Sequence, residues 1–362
     1  MNLRDTRIDL MAVSIILVCI GIVMIYSTSA IYALENQGDS AYYLKRHLFY
    51  VLIGIFCVFF VMKADYHYFR KIAKPLLLIS FFLLVLLLIP GISRQVGGAR
   101  RWFRFGSISF QPSELAKFAM IIYAADFLSR KKDVITSFLK GFLPIMLVMG
   151  SVCLLIIVQP DLGTVVAIVS ISLLMFFVAG VKLAHILSFV LGSLPVLYIL
   201  ILSVPYRRNR ILSFLDPWSD PQGTGFQIIQ SLVALGSGGF SGLGLGHGRQ
   251  KLLYLPAAYT DFIFSIIGEE LGFIGTASII MLLIFFLLQA TKISLKAKDS
   301  FGQFLSFGLL SCLIIEAIVN MGVAISILPT KGLPFPFISY GGTSLVFNMI
   351  YVGLILNVGR AK

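Results

Sequence analysis

The chain has 362 residues, of which 58% are hydrophobic and 12% charged, against about 45–50% and about 25% in soluble domains. That balance excludes a soluble globular protein and defines a polytopic membrane protein. The formal net charge of +13 invites a nucleic-acid reading, but much of it lies in short loops between apolar runs and no soluble domain is left to hold a duplex, so nucleic acid is excluded as a partner.

In chain order, uncharged runs fall at Leu10–Leu34, Leu48–Met62, Pro75–Ser93, Gly141–Pro160, Leu162–Val181, Leu183–Tyr206, Leu271–Thr291 and Gly332–Gly359. Two more apolar segments carry charge inside them: Gln111–Leu128 with Glu114 and Lys117, and Gln303–Ile325 with Glu316. A helix needs roughly 20 residues to cross a hydrocarbon core about 30 Å thick, and the pattern predicts an all-α protein of about ten transmembrane helices. The first run is too long for a signal-peptide core of about 7–15 residues and reads as an uncleaved helix. Cys19, Cys57, Cys153 and Cys312 all fall inside apolar runs and read as small core residues. Nothing alternates with period two over a useful length, so strands are not expected and an outer-membrane barrel is excluded. With no repeat or linker, residues 1–362 form one membrane domain.

Basic residues orient the chain. With the N-terminus inside, every inner segment is basic, from Arg4, Arg7 and Lys63 to Arg360 and Lys362, which predicts cytoplasmic termini. The outer side also carries Arg94, Arg100, Arg101 and Arg104 in one loop, and Arg207, Arg208, Arg210, Arg249 and Lys251 in the large loop of about 204–262 between the seventh and eighth helices. Two causes fit that departure: attraction to anionic headgroups, about 1 kcal/mol per basic residue, or a phosphate-bearing substrate matched to the guanidinium fork.

Several residues allow both a structural and a chemical reading. Asp261 precedes an apolar helix, where it suits an N-cap or a partly desolvated general base. Pro112 suits a first helical position, and Glu114 and Lys117 share a face on which they can neutralise each other; charges at membrane depth also tend to face a polar path. Asp161 lies in the turn Pro160-Asp161-Leu162-Gly163, as turn chemistry or a cavity-facing group. Glu269 reads as a buried partner for a basic side chain, and Glu316 with Asn320 as an interhelical hydrogen-bonding pair. Pro334-Phe335-Pro336-Phe337 blocks regular helix and predicts a rigid re-entrant segment carrying Lys331, Ser339 and Tyr340. No histidine or cysteine cluster has metal-ligand spacing.

Four ordered motifs, GARRWFRFGSISFQPSELAKF at Gly98–Phe118, QPDLGT at Gln159–Thr164, LGLGHGRQKLLYLPAAYTDFIFSIIGEELGFIG at Leu243–Gly275 and LPTKGLPFPFISYGGTS at Leu328–Ser344, resemble the shape, elongation, division and sporulation family of FtsW, RodA and SpoVE, with forms nearest the FtsW type. The resemblance implies ten membrane helices in the bacterial cytoplasmic membrane and a peptidoglycan glycosyltransferase acting on lipid II at the outer face. It implies Asp261 as the catalytic base, Arg101 and Lys117 as pyrophosphate ligands with Glu114 holding Lys117, and substrate contacts from Asp161, Lys251, Lys331 and Ser339. A class B penicillin-binding protein and other division or elongation proteins are the implied partners. A divalent cation, magnesium or manganese, is expected to neutralise the pyrophosphate through phosphate oxygens and one carboxylate. Two rival classes stay open: a lipid II flippase, in which the buried charges line a polar path, and a scaffold for the crosslinking enzyme.

Overall fold

The computed structural model describes residues 3–90, 100–106, 108–252, 254–330 and 332–360. They are mostly helical: α1 (Leu3–Gln37), α2 (Tyr42–Lys63), α3 (His67–Leu86), α4 (Pro112–Arg130), α5 (Leu143–Val158), α6 (Leu162–Val178), α7 (Leu183–Leu202), α8 (Pro205–Leu215), α9 (Phe226–Ser237), α10 (Ile263–Leu295), α11 (Ser300–Ala324) and α12 (Gly342–Val358). Each of the ten apolar segments overlaps one of α1 to α7 and α10 to α12, but Leu183–Tyr206 also reaches the start of α8 and Gly332–Gly359 begins with a non-helical stretch. Among the described residues, six helices are long and apolar enough to cross a membrane by length and composition alone. The chain is a multi-pass membrane protein.

Local chemistry fixes many of the boundaries. Pro112 begins α4 as its first residue, where its missing N–H costs nothing. Asp161 caps α6, its carboxylate accepting from the Thr164 N–H at 3.4 Å. Asp299 caps α11 through the N–H groups of Phe301 and Gly302. The inner core is α4 and α11, which bury residues around nearly their whole circumference and pack on each other, while α7 buries Ile186 and little else.

Three features depart from the sequence expectation. A hairpin, β1 (Phe103–Phe105) antiparallel to β2 (Ile108–Phe110), stands where no strand was expected. Its signal is present: Phe103-Arg104-Phe105 and Ile108-Ser109-Phe110 alternate, and Gly106 takes φ 59° at the turn. The large loop contains α8 and α9, and α9 buries Ile228, Ile229, Ser231 and Ala234. Finally α10 starts at Ile263, ahead of the apolar run, and is interrupted at Gly272, which has φ 65° and ψ −160°.

That interruption frees backbone groups, and the loop answers each of them. Leu243 and Gly244 donate to the Glu269 and Glu270 carbonyls at 3.0 Å, while Phe273 and Ile274 donate to Gly239 at 2.9 Å and Phe240 at 3.2 Å. A Cβ on Gly272 would lie 2.3 Å from the Gly242 nitrogen, so only glycine admits this contact.

Between α11 and α12 the chain turns inward without helix. Leu333, Phe335, Phe337 and Ile338 are buried, and Phe337 adopts φ 65°. Protein satisfies this backbone: Asn320 donates to the Leu333 carbonyl at 2.9 Å, and Ser339 Oγ accepts from Phe335 N–H at 2.9 Å. The segment rests on α1 at Gly21, where an added Cβ would stand 2.3 Å from the Phe337 carbonyl oxygen. Gly21→Val is expected to part α1 from this segment, costing about 1–3 kcal/mol, seen as a lower unfolding temperature in detergent; an unchanged transition would show that the contact yields freely.

Candidate functional site

A cavity of about 220 Å³ opens where α6, α7 and α8 meet Pro329, Thr330 and Gly332. Its polar wall carries Arg101, Asp161, Arg207, Arg210, Asp261 and Thr330, and its apolar wall Val166 of α6 with Leu197, Leu200 and Ile201 of α7. Three guanidinium groups and two carboxylates therefore share one small space.

Each arginine is fastened by a backbone carbonyl. Arg101 donates to the Gln159 carbonyl at 3.3 Å and to that of Pro160, Arg207 to Leu200 at 3.0 Å, and Arg210 to Thr330 at 2.9 Å. A guanidinium carries five N–H donors, so each fastened fork keeps edges for an anion.

Asp261 is held by its backbone and not by its carboxylate. Its N–H donates to Ala257 at 3.0 Å and its carbonyl accepts from Asn320 Nδ2 at 3.0 Å. Just before it, Ser339 Oγ donates to the Thr260 carbonyl at 2.5 Å and Tyr340 N–H to Tyr259 at 2.9 Å. The cap position of α10 is Phe262, so Asp261 is not the N-cap that its sequence context allows. Among the described residues its carboxylate has no hydrogen-bond donor, while a Cβ on Gly332 would come within 3.1 Å of one of its oxygens.

The electrostatics follow from that placement. Burial raises the Asp261 pKa to about 6, Arg210 and Arg101 pull against this, and Asp161 adds to it. A carboxylate so placed is largely ionised at neutral pH yet binds a proton more strongly than an ordinary aspartate. Its raised pKa also means that it destabilises the fold above the ordinary range, most fully above pH 6.

The site gathers Asp261, Arg101 and Asp161, and separates the other expected residues. Asp161 lines the cavity and also caps α6, accepting from Thr164 Oγ1 at 2.9 Å and Gln111 Nε2 at 3.3 Å. Ser339 stands behind the Thr260–Asp261 segment as its anchor. Lys331 lies outside the described residues.

Lys117 departs from the expected pyrophosphate role. Its ammonium is 1% exposed, 2.8 Å from Glu114 and also bonded to Glu316, an enclosed triad away from the cavity wall. Glu316 therefore pairs with Lys117 and not with Asn320, whose amide is committed to Asp261 and Leu333. Lys251 is likewise enclosed, its ammonium 2.5 Å from Glu270 and 3.1 Å from Ser27 on α1. Glu269 accepts from the backbone N–H of Arg249 at 2.6 Å and Gln250 at 3.1 Å, not from a basic side chain. Together these pairs pin the loop to α10 and α1. Other residues join the site instead: Arg207 and Arg210, read from the sequence only as outer arginines, Asn320, read there as a partner of Glu316, and Gly332, which was given no role.

The fold and site define a class: a helical multi-pass membrane protein with a loosely held carboxylate in an arginine-lined cavity at one membrane face. The chain belongs to the FtsW/RodA/SpoVE family of cell cycle proteins, whose model matches residues 8–362. It is 46% identical to stage V sporulation protein E of Bacillus subtilis (strain 168), with 99% of each chain covered. It is also 46% identical to a Geobacter sp. (strain M18) protein named "Probable peptidoglycan glycosyltransferase FtsW", over 95% of this chain and 94% of that one. Among solved structures it is similar to a chain of a peptidoglycan synthase complex that coordinates polymerization and crosslinking (TM-score 0.79, 31% identity, 97% and 96% covered). A second neighbour is RodA of Thermus thermophilus (TM-score 0.72, 25% identity, 97% and 95% covered).

Two substitutions test this geometry. Asn320→Leu removes both carbonyl contacts and is expected to lower activity tenfold or more while the protein stays folded; wild-type turnover would mean that Asp261 is positioned otherwise. Lys117→Ala leaves two carboxylates buried together and is expected to cost about 3–5 kcal/mol, with stability recovered when Glu114→Gln and Glu316→Gln are combined with Lys117→Met. Retention of stability by Lys117→Ala alone would contradict the enclosed triad.

Proposed function

We propose that this chain is a peptidoglycan glycosyltransferase that polymerises lipid II at the outer face of the bacterial cytoplasmic membrane. In this reading all ten apolar helices cross the membrane, both termini are cytoplasmic, and the Asp261 cavity faces outward. The observation that carries the reading is the Asp261 carboxylate, without a hydrogen-bond donor among the described residues and with its pKa raised to about 6 in a cavity walled by Arg101 and Arg210.

The chemistry follows from that wall. The 4-hydroxyl of an incoming lipid II sugar meets Asp261, which takes its proton as the oxygen attacks the anomeric carbon at the lipid-linked end of the growing strand. The bond to pyrophosphate breaks, and the free edges of Arg101, Arg207 and Arg210 stabilise the charge that develops on the leaving group. Lys117 supports α4 from inside the fold and has no part in this contact. A separate apolar groove of about 460 Å³ lies between α6 and α11, with Leu173, Leu174, Phe177, Ile315 and Ile318 and with Ile186 of α7, and offers a place for a polyprenyl chain that stays in the bilayer.

Among the described residues no group of three or more His, Cys, Asp or Glu is placed to hold a metal, so a divalent cation here would rest on one protein carboxylate and on the phosphate oxygens of the substrate. Asp161 gives three acceptor contacts to the protein and retains carboxylate lone-pair capacity at the cavity wall; it would hold the ion, which when bound would neutralise pyrophosphate charge. A class B penicillin-binding protein is the proposed partner, supported by the likeness to a chain of a peptidoglycan synthase complex. Other division or elongation proteins would join that pair.

Purified protein with such a partner and lipid II is expected to produce glycan strands, and Asp261→Asn to produce none while keeping its fold and its partner. Full polymerisation by Asp261→Asn would remove this residue as the base. Lipid II movement across liposome membranes by a polymerisation-dead variant would favour the flippase reading, and strand synthesis by the partner alone the scaffold reading.

A further inference from the structure

At the membrane face opposite Asp261, the structure combines an apolar groove with a set of cations that form no salt bridge among the described residues. The groove encloses about 470 Å³ between α1, α2 and α12. It runs along α1 from Met11 to Ile22, eleven steps of about 1.5 Å, or about 16 Å. That is one leaflet's share of a hydrocarbon core about 30 Å thick. Phe337 of the re-entrant segment closes it at mid-membrane.

Every wall of this groove ends in a cation at the same face. Arg7 lies one turn before Met11 on α1, Lys63 follows Met62 on α2, and Arg360 lies one turn beyond Leu356 of α12. Met62 also lines a second cavity of about 530 Å³, which carries Lys63, Lys298 and Arg360 with Asp65, His67 and Asp299. The apolar groove thus opens directly into a charged one.

The acids of that second cavity are engaged, whereas among the described residues Arg360 meets only the Met62 carbonyl at 3.2 Å and Lys63 only the face of the Phe59 ring, 4.0 Å from its centroid. Asp65 pairs with His67 at 2.7 Å, and Asp299 binds the Tyr66 hydroxyl and the N–H groups of Phe301 and Gly302. Among the described residues, Arg7, Lys63, Lys298 and Arg360 form no salt bridge with a carboxylate. Arg7 and Arg360 repel each other, and the Arg7 Nε is buried without a partner. Asp5 and Asp9 lie two positions from Arg7 on α1, on other helix faces.

We propose that this groove and cavity form a binding site for one anionic diacylphospholipid of the opposite leaflet, with an acyl chain along α1, α2 and α12 and the phosphate on Arg7, Lys63 and Arg360. Basic residues at this face also orient membrane helices, but orientation does not require them at the mouth of a leaflet-deep groove. A partner's membrane helix would need a seam through both leaflets, which Phe337 interrupts. The site is separate from the Asp261 cavity, so it stands or falls independently of the glycosyltransferase reading.

Native mass spectrometry of the detergent-purified protein with phosphatidylglycerol or phosphatidylcholine, each of matched chain length, tests this. Phosphatidylglycerol is expected to be retained at least tenfold better, and Arg7→Gln with Lys63→Gln and Arg360→Gln to bring it down to the phosphatidylcholine level. Ile55→Trp, which narrows the groove and leaves the cations, is expected to reduce retention as well. A phosphatidylglycerol carrying a photoreactive acyl chain should label the Met11–Ile22 stretch of the wild-type protein, a readout that does not depend on how the variants fold. Equal retention of the two lipids, full retention by Ile55→Trp, labelling elsewhere, or displacement by an equal amount of undecaprenyl phosphate would each overturn the proposal.

Discussion

Hydrocarbon offers no hydrogen bonds, so a polar group carried into the membrane must find its partner inside the protein. The chain meets that demand at long range. Lys117 is neutralised by Glu114 and Glu316 from two helices, Glu270 by Lys251 and Ser27, and Asp126 by Arg70 and Arg130. Asp261, at the centre of the candidate site, has no such partner for its carboxylate among the described residues. Its backbone is tied to Asn320 and its neighbours to Ser339 and Tyr340, yet its carboxylate is left to the field of nearby arginines. Rigid backbone and unengaged side chain are what a general base requires: fixed position with an available lone pair.

The same constraint explains the arrangement of the irregular segments. The loop before α10 and the segment before α12 leave helical geometry, and each does so against protein. Backbone groups freed by the kink at Gly272 are met by residues 239–244, and the Phe335–Ser339 turn is closed by its own serine. These two irregular segments meet beside Asp261, where Tyr340 and Ser339 bond to Tyr259 and Thr260. Departure from regular helix is therefore concentrated where the chemistry is proposed, while α7, with little buried surface, borders the cavity on its apolar side.

The helices were legible because hydrophobicity over some twenty residues is a local signal, and each apolar run overlaps one long helix. The start of α4 at Pro112 was equally local. What escaped depends on partners far apart in sequence. Glu114 and Lys117 lie on one helix face as their spacing implied, but the closing partner Glu316 is 199 residues from Lys117, and its presence turns an expected pyrophosphate ligand into an enclosed structural cation. The N-cap reading of Asp261 failed because Ala257, with φ 57°, turns the chain so that the cap falls on Phe262. The hairpin at Phe103–Phe110 did carry a local alternation, but three-residue strands are too short to stand out in an apolar chain.

The account rests on the ionisation of one side chain. The most direct measurement is the pH dependence of lipid II polymerisation by the wild-type protein under subsaturating substrate. Burial raises the Asp261 pKa to about 6, so the deprotonated base is lost as pH falls through that value; the rate is predicted to have an acid limb centred near 6 and a plateau above 7. A rate that holds level down to pH 4.5 would contradict the account, because a carboxylate in its ordinary range, or a different group, would then be taking the proton.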